Sequence, residues 1–245
     1  MTDNQAFAFL RRLAPAHDVK VILGNKKVGI WNILWIALRL RRGVPVAKII
    51  HRKWFYGLPF YTDRYTLDPR PDSEALVEAV IKNEKPRRIL DLGTGTGCLL
   101  CAIIKNAPGA GGVGIDRSFR ACRAARKNAK DLGLSDKIKI LRGRFSNAAA
   151  ADFDVIIANP PYVPTGDRRV DHGAGHDPKT ALYGGRDGLK YYREIAGLET
   201  NAKLYIEIGR GQERAVKKIF SALGWKFAAR YKDLSGRVRA LSFAK

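Results

Sequence analysis

Ile89-Leu90-Asp91-Leu92-Gly93-Thr94-Gly95-Thr96-Gly97 is the stretch on which the fold turns. Four residues of strand type run into a loop in which every second position is glycine. Without a Cβ, such a backbone turns tightly and lies close against a ligand. The apolar pattern that resumes over 98–106 is helical, so the stretch reads as strand, loop, helix. A dinucleotide fingerprint needs G-x-G-x-x-G; counted from Gly93 its third glycine falls on Cys98, and counted from Gly95 on Leu100. A P-loop needs Gly-Lys-Ser/Thr, which is also absent.

Outward from this loop the alternation continues. Strands are predicted at 111–116, 137–141, 154–158, 202–208, 226–231 and 237–243, and helices at 118–131, 189–196 and 212–223. Strands that alternate with helices form a parallel, doubly wound α/β sheet. The last two strands have no helix between them, so they pair antiparallel at one edge. Asp116 ends the second strand. An acid there accepts hydrogen bonds from both hydroxyls of a ribose, and it also suits the N-terminus of the helix from Ser118.

The apolar run 153–158 stops at Asn159-Pro160-Pro161-Tyr162. Proline has no N–H for a sheet ladder, so the strand ends there, at the edge of an open sheet where ligands bind. The side-chain oxygen of Asn159 and the carbonyl of Pro160 can accept the two N–H bonds of a planar NH2 group. The ring of Tyr162 can stack on that group. A planar nitrogen is a poor nucleophile because its lone pair is delocalised, so catalysis here is mostly positioning and desolvation.

The acid-x-Gly-x-Gly-x-Gly loop resembles the first motif of class I S-adenosylmethionine-dependent methyltransferases, and Asn-Pro-Pro-Tyr their signature for transfer to planar nitrogen. Two families carry that signature: glutamine-N5 protein methyltransferases and N6-adenine nucleic-acid methyltransferases. Phe55-Tyr56-Gly57-Leu58-Pro59-Phe60, Thr66 to Glu78, His176-Asp177-Pro178, Ala181 to Leu189, Tyr192 to Ile195, Tyr205 to Gly209, and Gln212 are similar to the peptide chain release factor glutamine methyltransferases (HemK/PrmC-like). The resemblance runs from about Arg41 to the C-terminus. It implies a seven-stranded Rossmann-like sheet, mostly parallel with an antiparallel C-terminal edge strand. It also implies methyl transfer from S-adenosyl-L-methionine to the N5 nitrogen of the glutamine in the Gly-Gly-Gln motif of release factors. Cofactor-binding positions carry over to Gly93, Thr94, Gly95, Thr96, Gly97, Asp116 and Asn159. Substrate positions carry over to Asn159, Pro160, Pro161 and Tyr162, with Asn159, Pro160 and Tyr162 in the catalytic role. Arg70 and Glu74 match a family motif beside the active site. The sequence departs from the family at Leu141-Arg142-Gly143-Arg144-Phe145, which lacks an acid usual there, and in a shortened N-terminal helical region.

The chain reads as a short helical segment at 1–50, a hairpin or linker at 51–72 and an α/β domain at 73–245; the resemblance implies substrate binding by the first and methyltransferase chemistry by the last. In the first, Phe7, Leu10 and Leu13 share one helical face. Ile30, Leu34, Ala37 and Leu38 share another, widened by Trp31 and Trp35. The apolar run 28–38 is too short to span a membrane, which takes about 20 residues, and reads as a buried helix. Asp72 or Ser73 is the expected cap of a helix over 74–82.

Lys and Arg number 45 against 23 Asp and Glu, a net charge of +22. Such a balance suits acidic partners, nucleic acid among them, although the basic residues are scattered. Cys98, Cys101 and Cys122 make an odd count without a signal peptide, as expected for reduced thiols in the cytoplasm. Cys98 and Cys101 form one C-x-x-C with no second pair for zinc, so core packing is the expected role. Asp171, His172, His176 and Asp177 lie in a Gly-rich loop without the spacing of a metal site. Class I methyl transfer needs none, so no metal is expected.

Overall fold

The computed structural model describes residues 2–27, 29–145, 153–167 and 175–245. Four helices open the chain: α1 (Asp3–Leu10), α2 (Ala16–Asn25), α3 (Ile30–Arg41) and α4 (Val46–Ile50). A two-stranded hairpin follows, β1 (Lys53–Phe55) and β2 (Leu58–Phe60). The remainder is α5 (Glu74–Asn83), β3 (Arg88–Leu92), α6 (Cys98–Asn106), β4 (Gly111–Asp116), α7 (Phe119–Asp131), β5 (Ile138–Arg142), β6 (Val155–Ala158), α8 (Lys179–Leu182), α9 (Lys190–Ala196), β7 (Lys203–Glu207), α10 (Glu213–Ser221), β8 (Lys226–Lys232) and β9 (Val238–Ala244).

The seven-stranded sheet has the order β5-β4-β3-β6-β7-β9-β8. Strands β3 to β7 are mutually parallel. The C-terminal strand β9 runs antiparallel to both of its neighbours, β7 and β8, so β8 forms the outer edge. The chain lays β3, β4 and β5 in one direction and then returns to place β6 on the other side of β3. The loops after β3 and β6 therefore diverge at a topological switch point, where open α/β sheets bind ligands.

Side chains alternate across the sheet as strand geometry requires. Ile89, Val155, Ile157 and Tyr205 join the core under α5, α6 and α7, with Leu76, Val80, Leu100 and Ile103. Leu90, Leu92, Ile156, Ala158, Leu204 and Ile206 face the opposite core under α9 and α10, with Tyr192, Ile195, Val216 and Phe220. Both faces are covered, which explains why these strands read as continuous apolar runs.

The N-terminal helices have a small core of their own, built from Ala6, Leu10, Val19, Ile22, Ile33, Ile36, Ala37 and Ile49. Here the expectation of a buried 28–38 helix is corrected. Helix α3 turns Ile33, Ile36 and Ala37 inward, while Ile30, Leu34, Trp35 and Leu38 are exposed and Trp31 is 80% exposed. The apolar stripe is wider than its short neighbours cover, so Ile33, Ile36 and Ala37 pack inward and the rest of the stripe stays outside. Among the described residues, no helix is long and apolar enough to cross a membrane.

A buried lysine fastens this unit to the rest. Lys48 on α4 is 1% exposed. Its Nζ lies 2.8 Å from Asp68 Oδ1 and 2.9 Å from Asp177 Oδ1, donates to the Asp63 carbonyl at 2.7 Å, and also reaches the Thr66 carbonyl. Asp177 Oδ2 in turn accepts from Arg70 at 2.7 Å. One ammonium thereby joins α4, the segment after the hairpin and the loop before α8.

Candidate active site

The C-terminal ends of β3, β4 and β6 meet at a cavity of about 390 Å³. Gly93, Gly95, Asp116, Ser118, Phe145, Asn159, Pro161 and Tyr191 are among its walls. Gly93 and Gly97 both have positive φ, 77° and 78°, where a side chain is strained. A Cβ on Gly93 would meet the Phe145 ring at 3.4 Å, and one on Gly97 would stand 3.3 Å from Ala125 Cβ. The loop is thus pressed against α7 on one side and leaves its own backbone open to the cavity on the other.

The loop is held from behind. Thr94 Oγ1 donates to Asp91 Oδ2 at 2.6 Å, and Asn128 Nδ2 donates to the Thr96 carbonyl at 2.8 Å. The same Asn128 amide pairs with both backbone groups of Tyr61, fixing the segment after the hairpin to α7. Asp91 is buried, and desolvation pushes its carboxyl up to about 7 against the opposing Thr94 hydrogen bond. Asp116 accepts from the Gly95 N–H at 3.0 Å and the Ser118 N–H at 2.8 Å, and burial raises its pKa against those two bonds. Ser118, rather than Asp116, caps α7, since its Oγ accepts from the Ala121 N–H. The Asp116 carboxylate therefore faces the cavity instead of closing a helix.

Asn159 stands on the wall shared with a second cavity of about 670 Å³, whose lining also includes Arg70, Pro160, Pro161, Tyr162, Glu207, Arg237 and Arg239. Asn159 Nδ2 donates to Ser73 Oγ at 3.1 Å. The amide is thereby oriented, and its Oδ1 is the atom left to accept. The expected capping role of Asp72 or Ser73 is corrected here: Ser73 makes no side-chain cap to α5, and Asp72 pairs with Arg239. Tertiary partners compete for both side chains and win. Tyr162 is clamped at two points: its hydroxyl donates to Glu207 Oε1 at 3.3 Å, and its carbonyl accepts from Gln212 Nε2 at 2.9 Å. Gln212 Oε1 accepts in turn from the Gly209 N–H and the Tyr192 hydroxyl.

Glu207 is 1% exposed, and its Oε2 has no hydrogen-bond partner among the described residues. Burial drives its pKa from 4.5 up to about 7, with Ser73, Arg239 and Tyr162 opposing only in part. A carboxyl raised in the folded state binds its proton more tightly there than in the unfolded chain. The resulting stability is complete below pH 4.5 and is lost as pH rises through about 7. Glu207→Gln removes that dependence. Relative to wild type, its unfolding free energy should improve between pH 5 and pH 8 by up to about 3 kcal/mol. Urea unfolding at the two pH values measures it, and a wild-type-to-variant difference that does not change with pH refutes it.

The release factor glutamine methyltransferase of Agrobacterium fabrum is 37% identical over 224 residues, covering 84% of this chain and 76% of that protein. The chain belongs to the release factor glutamine methyltransferase family. That of Rhodospirillum rubrum is 41% identical over 206 residues, 80% of this chain, which spans 63% of its length. Residues 66–174 also match the methyltransferase small domain. A methyltransferase structure from Pyrococcus furiosus superimposes with a TM-score of 0.58 over 88% of this chain and 96% of that one, at 16% identity. That likeness establishes the methyltransferase fold.

Within this family frame, the expected site residues divide. Gly93, Gly95, Asp116, Asn159 and Pro161 line the first cavity, and Asn159, Pro160, Pro161 and Tyr162 the second. Thr94, Thr96 and Gly97 sit behind the loop and brace it. Phe145, at the point where the sequence departs from the family, packs edge-on against Tyr191 at 5.7 Å and closes the cavity wall. Glu74 holds the hairpin by accepting from the Tyr56 N–H at 2.8 Å. The role of Ser73 as orienter of Asn159 was not legible, because 86 residues separate them. The thiol of Cys98 is pushed up to about 12 and that of Cys101 is also raised, by burial in both cases, so neither supplies a thiolate. Asp177 is taken by Lys48 and Arg70; Asp171 and His172 lie outside the described residues. Among the described residues, no three His, Cys, Asp or Glu side chains gather as metal ligands.

Proposed function

We propose that this protein transfers the methyl group of S-adenosyl-L-methionine to the N5 side-chain nitrogen of the glutamine in the Gly-Gly-Gln motif of peptide chain release factors, in the cytoplasm. The observation that carries the reading is Asn159, which lines both cavities with its Nδ2 committed to Ser73 and its Oδ1 left to accept.

The first cavity suits the cofactor in size, since small-molecule sites run from about 300 to 1,000 Å³. It suits it in chemistry too: an open glycine backbone, with Thr94, Thr96 and Gly97 as its brace, for the amino-acid end, and the Asp116 carboxylate for the ribose hydroxyls. When bound, the cofactor supplies an electrophilic methyl on a sulfonium. Asn159 Oδ1 and the Pro160 carbonyl accept the two N–H groups of the substrate amide and turn its nitrogen toward that methyl. Tyr162, held by Glu207 and Gln212, offers a fixed ring to the planar amide. The amide nitrogen held by Asn159 and Pro160 would take that methyl as its bond to sulfur breaks, and the amide proton would leave to water. The preset geometry supplies most of the rate. We assign the helical unit at 1–50 the task of holding the release factor, 51–72 a linking hairpin, and 73–245 the chemistry.

Methyl-labelled cofactor incubated with this protein, a release factor and nucleic acid tests the assignment. Label should enter the release factor at glutamine. Label in nucleic acid alone overturns the proposal in favour of N6-adenine transfer, which shares the Asn-Pro-Pro-Tyr signature.

A further inference from the structure

The mechanism leaves most of the chain's positive charge unused, and part of it is gathered in one place. A cleft of about 640 Å³ between the start of α10 and the end of the β8–β9 turn is lined by Arg210, Arg214, Lys217, Arg237 and Arg239, with Glu213 the only acid. Arg237 and Arg239 also line the cavity that holds Pro160 and Tyr162, so the two depressions adjoin. Several of these cations are already spent: Arg239 on Asp72 and Asp233, and Lys217 on Glu213. Among the described residues, Arg210, Arg214 and Arg237 have no ion-pair partner, and all three are exposed.

We propose that this cleft is a second substrate subsite, which binds carboxylate side chains of the polypeptide flanking the acceptor glutamine. The inference rests on the protein-substrate reading above. Three guanidinium groups free to form bidentate pairs, beside the acceptor pocket, match aspartate and glutamate better than they match a neutral peptide. A single-stranded nucleic acid would also be attracted, but such sites stack bases on aromatic rings. The lining of this cleft contains none. The remaining lining residues, Ile208, Gly211 and Val238, offer a peptide backbone an apolar floor.

The test uses two peptides that share one acceptor glutamine, one with Asp and Glu in the flanks and one with Ser at those places. They are assayed against wild type and Arg210→Glu/Arg214→Glu. Both substitutions are on exposed side chains outside the Asn159–Tyr162 pocket. Exposed charge pairs are individually weak, but reversal of two charges adds repulsion to lost attraction, so KM for the acidic peptide should rise roughly tenfold. Its kcat, and both constants for the neutral peptide, should stay unchanged. Fluorescence anisotropy of the labelled peptides, which needs no turnover, should show the same contrast and weaken with salt. If neither peptide is methylated yet the binding contrast persists, the functional reading fails and the subsite stands. Equal effects of the double variant on both peptides overturn the subsite. So does an RNA oligonucleotide that binds wild type more tightly than the acidic peptide and loses that binding in the variant.

Discussion

Asn159→Ala is expected to lower methyl transfer about 10²–10³-fold, the usual cost of removing one preorganised hydrogen-bond partner at a reacting group, while cofactor binding changes little. The asymmetry follows from where the residue stands. On the first cavity, Asn159 is one wall among many, beside Gly93, Gly95 and Asp116. On the acceptor side, its Oδ1 is one of only two acceptors proposed for the amide. Prolines 160 and 161 keep the backbone rigid whatever the side chain at 159, so the loss is chemical rather than conformational. Single-turnover transfer and calorimetric titration with S-adenosylhomocysteine separate the two quantities. Ser73→Ala serves as a graded control, because it releases Nδ2 while keeping Oδ1 present. Full transfer activity in the alanine variant at 159 removes the residue from the mechanism.

Lys48→Met is expected to cost about 3–5 kcal/mol of stability, the range measured when one member of a buried ion pair is removed. Lys48 and the Asp177 carboxyl are each 1% exposed, and the Asp68 carboxyl 11%. Loss of the ammonium strands two carboxylates away from water and leaves the Asp63 and Thr66 carbonyls without their donor. Arg70 still reaches Asp177, from a partly exposed position, and cannot serve Asp68. The charge, not the packing, is the cause. Lys48→Met/Asp68→Asn/Asp177→Asn should therefore recover much of the loss, since replacement of a whole buried cluster is far cheaper than breaking it. Urea denaturation of the single and triple variants measures both. A single-variant loss below about 1 kcal/mol, the worth of a surface pair, refutes the buried-hub account. The same contacts predict that loosening α4 disturbs the acceptor side, because Arg70, which Asp177 holds, lines that cavity.

How much of this was written locally can be judged from particular elements. The predicted helix at 98–106 and strand at 111–116 match α6 and β4 residue for residue: the apolar run after Gly97 ends at Lys105-Asn106, and Asp116 ends the strand. The parallel, doubly wound character of the sheet followed from alternation of strand and helix, which admits few topologies; the strand order came from the structure. The insertion of β9 between β7 and β8 needed the sheet itself, since two consecutive strands without a helix can close an edge in either order. The face of α3 was misjudged because periodicity gives a stripe but not its neighbours. Short helices covered Ile33 and Ile36 and left both tryptophans to solvent.

The sequence by itself determined the loop of alternate glycines and the proline-stopped strand at Asn159, and, with the segments at 55–78 and 176–195, the family and its sheet. These are local facts: backbone freedom, missing donors and hydrophobic period act over a few residues. Only the tertiary structure decided that Ser73 turns the Asn159 amide, that Gln212 and Glu207 hold Tyr162, and that Lys48 joins three segments in one buried cluster. Each joins residues distant in the chain, and which hydroxyl, amide or carboxylate finds which partner is settled by sheet order and helix placement.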